Sequence, residues 1–401
     1  MAEIAERDYT EELLDHAERV ERCIVVFFYG RSGSYLLCSF LDNHPHVLQT
    51  VPLGVQDAHN SFDRLQRAVP ANASPELLAQ KVCEEFPNLF GTNLGTLGRL
   101  ENERAVDRPR FEGLLTRAIR SAVERGVQIN GTFLFSALHL AYRAALDLPI
   151  TTPDPVIVWN YHVPVPYDRF KFARTLYPKA RFMVCIRNPW QTLDSHFHAH
   201  LVDSPMKPFV TMTGKMLVFL LLSGELYEGE TKETLAGVRF EDLHESPEAT
   251  MRSVAAWIGI PWHPSLLVSS FNGETWWVTR DDGVEFTGAR PSQAKPKKAK
   301  HLTFFDKLLL GWVLVREYKE WGYDNAFFER NKELLRPLIE ELLIHFPTGM
   351  ELAALRAELV EIFKAYWEQR QALREFFRQQ AQRRESPEFR VLPLLDLDSP
   401  S

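Results

Sequence analysis

The turn at residues 29–35, YGRSGSY, holds the first group of residues that could perform chemistry. Its two glycines allow the backbone to bend and to come close to a ligand, and its two serines are residue types that often begin helices. The free N–H groups of such a turn, together with the positive end of a helix dipole, attract phosphate or sulfate. Arg31 adds a permanent positive charge whose planar fork suits oxyanions.

This turn differs from the phosphate loop of P-loop nucleotide hydrolases. That loop requires a glycine, four further residues and then Gly-Lys-Ser or Gly-Lys-Thr. Gly30 and Gly33 are only three positions apart, and no lysine follows them. Taken alone, the segment also fits a strand–turn–helix that binds no ligand.

Apolar runs predict the strands that must carry these groups. Residues 23–28 are unbroken and rich in β-branched and aromatic residues, which is typical of a parallel strand covered on both faces. Similar runs occupy residues 155–159 and 181–187, and residues 236–242 are predicted to form a further strand and turn. Strands that alternate with helices predict an α/β fold, with a parallel sheet flanked by helices.

Reactive side chains follow three of these strands. Arg31 follows the first strand, His162 the second, and Arg187 with Ser195 the third. Ligands of parallel sheets bind at the carboxyl ends of the strands. We therefore expect these four side chains to meet at one crevice.

The composition is that of an ordinary globular protein. The 401 residues are 45% hydrophobic and 25% charged, with a formal net charge of −7, which disfavours a nucleic-acid-binding protein. The four cysteines have no CxxC spacing, so we expect buried free thiols. The first residues lack an apolar signal, and the apolar run at 216–222 is too short to span a membrane. We therefore expect a cytoplasmic protein without a membrane span.

The sequence predicts two parts with a boundary near residue 300. Residues 1–300 are expected to form the α/β domain, in which the mostly helical residues 51–150 are an insertion on the acceptor side, or a purely structural cap. Residues 48–73 have an irregular pattern, and residues 272–300 are expected to form a loop or flexible flap. Residues 301–401 are predicted to be a helical extension, whose basic end is either solvated or a homodimer contact. Its Pro-rich last dozen residues are expected to be poorly ordered.

Three motifs, in this order, resemble those of the sulfotransferases that use 3′-phosphoadenosine 5′-phosphosulfate (PAPS). YGRSGSYLL with the following LDNHPHV resembles the 5′-phosphosulfate loop of the carbohydrate, tyrosyl-protein and bacterial branches. FMVCIRNPWQTLDSHFH is similar to the 3′-phosphate motif, because Ser195 stands eight residues after Arg187. VRFEDLHESPEATMRSVAAWIGIP is similar to the family's VRYEDL segment. The resemblance covers about residues 22–300 and implies a P-loop-like sheet.

The resemblance implies sulfonyl transfer from PAPS to a hydroxyl or amine of a small-molecule acceptor, with 3′-phosphoadenosine 5′-phosphate (PAP) as the product. Arg31 and the loop N–H groups would stabilise charge on the leaving phosphate. Arg187 and Ser195 would hold the 3′-phosphate, and Ser195 would also restrain the basic residue of the loop until the acceptor binds. The other implied cofactor contacts are Ser32, Gly33, Ser34 and Tyr35 in the loop, Phe240 at the adenine, and Arg290, Ser292 and Lys295 in the flap. The flap lysines could instead be a solvated cluster.

His162 is the candidate base that accepts the acceptor's proton. NYHVP resembles the KTHLP of cytosolic sulfotransferases, whose histidine is the base, and a histidine titrates near neutral pH. Asn160 stands where those enzymes have a lysine, so one cation of the expected site is missing. A structural role for His162, or a carboxylate base elsewhere, remains an alternative.

Other features allow more than one interpretation. His196 and His200 have a helical spacing that suits metal ligands, but the resemblance implies helix packing there, and we expect no metal. Trp276 and Trp277 either line an acceptor pocket or pack in the core.

Two other classes of function remain open from the sequence. One is a nucleotide-dependent phosphotransferase, although the loop lacks the lysine that this class uses. The other is a degenerate domain that binds a nucleotide or a partner without catalysis. The departures at Tyr35 and Asn160 from common family residues keep this second class open.

Overall fold

The computed structural model describes most of the chain. The described residues are 7–28, 32–52, 54–55, 58–70, 72–91, 98–102, 104–162, 167–195, 230–279, 284–295, 298, 302–345, 375, 377–387 and 389–397. For residues 28, 66, 162, 167–170, 305 and 340–345, the description covers the backbone and not the side chain.

Strands and helices alternate along these residues. The strands are β1 Arg22–Phe28, β2 Val47–Leu48, β3 Arg99–Leu100, β4 Val156–His162, β5 Arg181–Ile186, β6 Leu235–Arg239, β7 Ser270–Phe271, β8 Glu274–Thr279 and β9 Glu285–Phe286. The helices are α1 Thr10–Asp15, α2 Ser34–Leu41, α3 Ala58–Ala68, α4 Pro75–Glu85, α5 Arg108–Glu124, α6 Gly131–Ala145, α7 Tyr167–Leu176, α8 Phe240–Glu245, α9 Pro247–Ile258, α10 Pro291–Ala294, α11 Phe304–Val313, α12 Val315–Glu320 and α13 Ala326–His345. Residues 189–195 and 377–385 are also helical.

A five-stranded sheet lies at the centre, in the order β2-β4-β1-β5-β6. All of its pairings are parallel. Alternate side chains of β1 enter apolar clusters on opposite faces, with Val25 in one cluster and Val26 in the other. This confirms the predicted α/β fold, a parallel sheet flanked by helices.

The helices that cover the two faces come from distant parts of the chain. Helices α2 and α9 supply Leu37 and Val254 to the cluster that contains Val26. Helix α6 supplies Phe135 to the opposite cluster, and Trp312 and Ile339 from beyond residue 300 join the same cluster. The helices after residue 300 are therefore packed into the core of the sheet.

The prediction of an irregular segment over residues 48–73 was wrong, because helix α3 occupies its second half. Phe62 and Leu65 lie one helical turn apart and are both buried. The Phe62 ring packs against Phe86 and Phe135 at centroid distances of 5.8 and 5.9 Å. Few apolar residues mark this helix in the sequence, and tertiary packing decides its formation.

The prediction of a loop over residues 272–300 was also wrong. Strand β8 pairs antiparallel with β3, β7 and β9 and forms a small second sheet. Trp276 and Val278, two positions apart, both pack against the cluster of α2 and α9. Aromatic and β-branched residues favour such a strand, although glycines, a proline and lysines surround it.

All four cysteines are free and buried, as predicted. Burial raises the pKa of the Cys23 and Cys185 thiols, so neither is a reactive thiolate. Within the described ranges, no helix is long and apolar enough to cross a membrane.

Residues 393–395 lie against the edge of the central sheet. The Gly237 N–H donates to the Pro393 carbonyl (2.7 Å), and the Leu395 N–H donates to the Gly237 carbonyl (3.0 Å). Residue 394 thereby forms a parallel bridge with β6. The expectation of poor order was wrong for this segment, because it satisfies the edge of β6, whose groups would otherwise lack partners.

Leu392 tests how much this segment contributes to stability. Its side chain is buried against Gly237 and the main core. We expect Leu392→Ala to lower the free energy of unfolding by about 2–4 kcal/mol, measured by urea denaturation followed by circular dichroism. Leu334→Ala is the matched control, because Leu334 is 72% exposed, and it should change stability by less than about 0.5 kcal/mol. Equal effects of the two substitutions would contradict a packed carboxyl-terminal segment.

Candidate active site

Helix α2 begins at the turn that the sequence analysis singled out. Gly33 is its N-cap residue, with φ of 95° and ψ of 8°, a left-handed conformation that favours glycine. No side chain caps this helix, so the expectation that one of the serines acts as the cap was wrong. The start of a helix favours anions, because its N–H groups and its dipole present positive charge there.

Phe240 lies directly against this turn. A Cβ atom added to Gly33 would lie 3.2 Å from Cγ and Cε2 of the Phe240 ring, and closer still to Cδ2. Of the strand and turn predicted over residues 236–242, the strand ends at Arg239, and Phe240 begins helix α8 in place of the turn. Glu241 and Asp242 occupy the first turn of the new helix, where the helix dipole favours acidic residues.

Arg187 lies over the same aromatic ring. Its guanidinium carbon is 4.6 Å from the Phe240 ring centroid, and the side chain is buried. Phe240 thus contacts both the turn after β1 and the residue that follows β5. The structure brings together Gly33, Arg187 and Phe240, which belong to the three separate motifs.

The chain turns immediately after Arg187. The Asn188 side chain accepts hydrogen bonds from the N–H groups of Trp190 and Gln191 (3.1 and 3.4 Å) and so caps the next helix. This helix contains Pro189 and Ser195, as the sequence predicts. The preceding residue, Asp194, accepts a hydrogen bond from the Leu302 N–H (2.9 Å), which ties the helix to the chain beyond residue 300.

Strand β4 is longer than the sequence predicts. It continues to His162, which is the register partner of Phe28 at the end of β1. The predicted strand stopped at residue 159, because the next residues, NYH, include polar side chains. In the structure, β4 pairs with β1 through all three of these residues. Asn160 therefore lies within the strand, buried beside Val26.

Several buried polar atoms near these strand ends have no hydrogen-bond partner. They are Ser32 Oγ, both amide atoms of Asn160, and Thr192 Oγ1. Buried polar groups are nearly always hydrogen-bonded, and unpaired ones destabilise a protein. They lie one on each of the three strand–turn segments that carry the motifs or the candidate base.

The LDNHP segment after α2 has a structural role. Asp42 accepts hydrogen bonds from Ser270 Oγ (3.2 Å) and the Gly273 N–H (3.0 Å), which anchors the turn of the small sheet. His44 Nδ1 accepts from the His46 N–H, so Nε2 carries the proton and donates to the Pro261 carbonyl (3.0 Å). Burial lowers the pKa of His44 to about 4, which keeps the ring neutral. This segment therefore joins the first motif to the end of the third.

Tyr35 packs towards the small sheet. Its ring centroid is 6.4 Å from Phe271 and 6.5 Å from Trp276. Burial raises the pKa of the Tyr35 hydroxyl, so it remains protonated. Trp276 is 4% exposed and belongs to the core, as one of the two interpretations predicted.

The residues predicted to form the flap approach the site through their backbone. The Arg290 N–H donates to His244 Nδ1 (2.9 Å), and the His244 ring lies 4.4 Å from the Phe240 ring. His244 lies within the third motif, but the sequence alone assigns it no role. The side chains of Arg290, Ser292 and Lys295 are exposed.

Some of the predicted site lies outside the described residues. This applies to Arg31, to the side chain of His162, and to the histidine pair at 196 and 200. Among the side chains that the structure does describe, no group of three or more His, Cys, Asp or Glu is placed to hold a metal ion.

Gly33 provides a direct test of this packing. We expect Gly33→Ala to lower the free energy of unfolding by about 1–3 kcal/mol, because the new Cβ is strained at this φ and collides with Phe240. Gly113→Ala in α5 is the control, since a Cβ there meets nothing within 4 Å and alanine favours helices by about 0.5–1 kcal/mol. Denaturant titration measures both. A Gly33→Ala protein as stable as the wild type would contradict the close contact.

Comparisons with known proteins identify the family. No curated protein matches the chain significantly. Among solved structures, a sulfotransferase domain from the curacin biosynthetic pathway is 12% identical and matches 76% of this chain and 99% of its own, with a TM-score of 0.43. A sulfotransferase domain from the Synechococcus PCC 7002 olefin synthase is 14% identical and matches 76% of this chain and 96% of its own, with a TM-score of 0.41. A sulfotransferase from Mycobacterium avium is 13% identical and matches 65% of this chain and 70% of its own, with a TM-score of 0.33. The sequence profile of the sulfotransferase family matches residues 23–264, more than half of the chain. This protein is therefore a member of the sulfotransferase family.

Proposed function

We propose that this sulfotransferase takes its sulfonyl group from PAPS and transfers it to a hydroxyl or amine of a small-molecule acceptor. The observation that carries the proposal is the contact of Phe240 with both Gly33 and Arg187. It joins a turn suited to a phosphosulfate with an arginine suited to a second phosphate. PAPS carries phosphate groups at both its 5′ and 3′ positions.

Each part of the nucleotide has a candidate partner. The 5′-phosphosulfate would lie at Arg31 and at residues 32–35, where helix α2 begins. The 3′-phosphate would lie at Arg187 and Ser195, and the adenine near Phe240. The exposed side chains of Arg290, Ser292 and Lys295 would close over the nucleotide from outside.

The unpartnered polar atoms fit this ligand. The hydroxyl groups of Ser32 and Thr192 can donate to phosphate or sulfonyl oxygens, and both are buried. The Asn160 amide can donate as well, without the charge of the lysine that cytosolic enzymes have at this place. A bound oxyanion would satisfy groups that are costly to bury alone.

Sulfonyl transfer then follows from these positions. The acceptor oxygen or nitrogen attacks sulfur, the bond from sulfur to the phosphate oxygen breaks, and PAP leaves. Arg31 and the N–H groups of the turn would stabilise negative charge on the leaving phosphate, the kind of electrostatic effect that usually dominates catalysis. His162, at the end of β4 beside β1, would accept the acceptor's proton. The alternative base is a carboxylate elsewhere.

We further propose that residues 1–300 contain the whole nucleotide site and that residues 51–150 shape the acceptor side. Residues 301–401 would support the site through their packing against the sheet, with a homodimer contact as a proposed use of the basic last helix. No metal ion and no nucleic acid takes part in this proposal, and we place the enzyme in the cytoplasm.

Nucleotide binding tests the proposed donor. Calorimetry without Mg²⁺ should show that PAP binds much more tightly than ATP. Arg187→Gln should weaken PAP binding by roughly 10- to 100-fold, because a charge-assisted hydrogen bond to the 3′-phosphate is lost. Arg181→Gln is the matched control, since Arg181 begins the same strand that Arg187 follows, and it should leave the affinity unchanged. Tighter binding of ATP would instead favour a phosphotransferase.

Transfer kinetics test the proposed base. His162→Ala should retain PAP affinity within about twofold but lose sulfonyl transfer by ~10²–10⁴-fold, the usual contribution of a general base. Calorimetry with PAP shows that the variant is folded and that its nucleotide site is intact. Turnover near the wild-type rate would assign the base to another residue.

A further inference from the structure

Glu241 holds the turn that carries Arg187. Its Oε1 accepts a hydrogen bond from the Asn188 N–H at 3.3 Å, and its Oε2 accepts one from the Tyr323 hydroxyl at 2.8 Å. The side chains of Glu241 and Tyr323 are largely buried, at 8% and 9% exposed, and Asn188 is partly buried. The carboxylate is thus shared between the turn after β5 and a tyrosine from beyond residue 300.

Helix α8 connects this carboxylate to the nucleotide site. Phe240, the residue before Glu241, contacts Gly33 and lies under the Arg187 guanidinium. The same helical turn therefore touches the proposed phosphosulfate loop, the proposed 3′-phosphate arginine and the residue that follows that arginine. This one turn therefore contacts both Arg187 and the backbone of the residue after it.

Tyr323 is itself held firmly. The Arg239 guanidinium carbon lies 5.0 Å from its ring centroid, and the Trp321 ring lies 6.5 Å away, edge to face. Trp321 Nε1 donates to the Leu392 carbonyl (3.1 Å), in the segment that extends the central sheet. The tyrosine is therefore a rigid link between the carboxyl-terminal segment and Glu241.

We propose that Tyr323 is a positioning residue through which the carboxyl-terminal region sets the affinity of the enzyme for the 3′-phosphate of its nucleotide. The inference rests on the proposed function, because it assumes that Arg187 binds that phosphate. Loss of the Tyr323 hydroxyl leaves Glu241 Oε2 buried without its donor, which is unfavourable for a charged acceptor. The carboxylate then turns towards another donor, and the Asn188 turn and Arg187 shift with it.

The test compares two nucleotides that differ only in the 3′-phosphate. Calorimetry with PAP and with adenosine 5′-phosphate gives the discrimination ratio of the wild type. Tyr323→Phe keeps the ring and its packing, so we expect a folded protein that binds PAP roughly 5- to 20-fold more weakly and adenosine 5′-phosphate with little change. The KM for PAPS should rise by a similar factor, while kcat changes less than about twofold.

Tyr177→Phe is the matched control. The Tyr177 hydroxyl also forms a buried hydrogen bond, at 2.7 Å, with Ser136 Oγ of helix α6. Its loss removes the same chemical group and should leave the discrimination ratio unchanged. Glu241→Met removes the carboxylate that accepts the hydrogen bond from Tyr323. This variant should show the same selective loss of PAP affinity.

The outcomes separate the inference from the proposed function. A wild-type protein that does not prefer PAP to adenosine 5′-phosphate would contradict the proposed function itself. A wild type that prefers PAP, with a Tyr323→Phe variant of equal preference, would overturn the role of Tyr323. An equal weakening of both nucleotides would overturn it too, because that result indicates general loosening of the fold.

Discussion

The contact between the Phe240 ring and the Gly33 backbone is the constraint on which the rest of the site depends. Only a residue without a Cβ allows the ring to lie against the turn, and the left-handed φ of 95° makes the same demand. Because α8 begins directly after β6, this ring ties the turn after β1 to the end of an edge strand. The Arg187 guanidinium, 4.6 Å from the ring centroid, brings in β5 between them.

Hydrogen bonding distinguishes two groups of buried polar residues near this contact. Asp42 and His44 have all of their main partners within the protein, and they fasten the small sheet and the end of α9 to α2. Ser32, Asn160 and Thr192 are buried without partners at the strand ends. Groups of the first kind stabilise the fold. Buried polar groups of the second kind are costly, and such groups are common at functional sites.

The carboxyl-terminal region is part of the enzyme's core. The buried pair of Arg384 and Glu317, with a 2.8 Å hydrogen bond, joins its helices far from solvent. Its last described segment covers the edge of β6 through Gly237, which would otherwise expose unpaired backbone groups. The three motifs end before residue 300, but the helices after residue 300 pack into the same core as the sheet. Two residues of the carboxyl-terminal region contact neighbours of the proposed nucleotide site: the Leu302 N–H donates to Asp194, and the Tyr323 hydroxyl donates to Glu241.

Elements whose signals are local can be predicted from the sequence alone. The apolar run of β1 forms a strand because it is covered on both faces, and Ser74 caps α4 through a 3.2 Å hydrogen bond from the Leu77 N–H, as its Ser-Pro signature predicts. The three motifs indicated the family, and the rule for parallel sheets indicated one shared edge. Only the tertiary structure decided which side chains meet there. Helix α3, strand β8 and the change from strand to helix at Phe240 depend on burial against partners far along the chain. The link from Tyr323 to Glu241 joins residues 82 positions apart. The residue pattern of neither segment predicts this contact, because the two segments come together only in the folded protein.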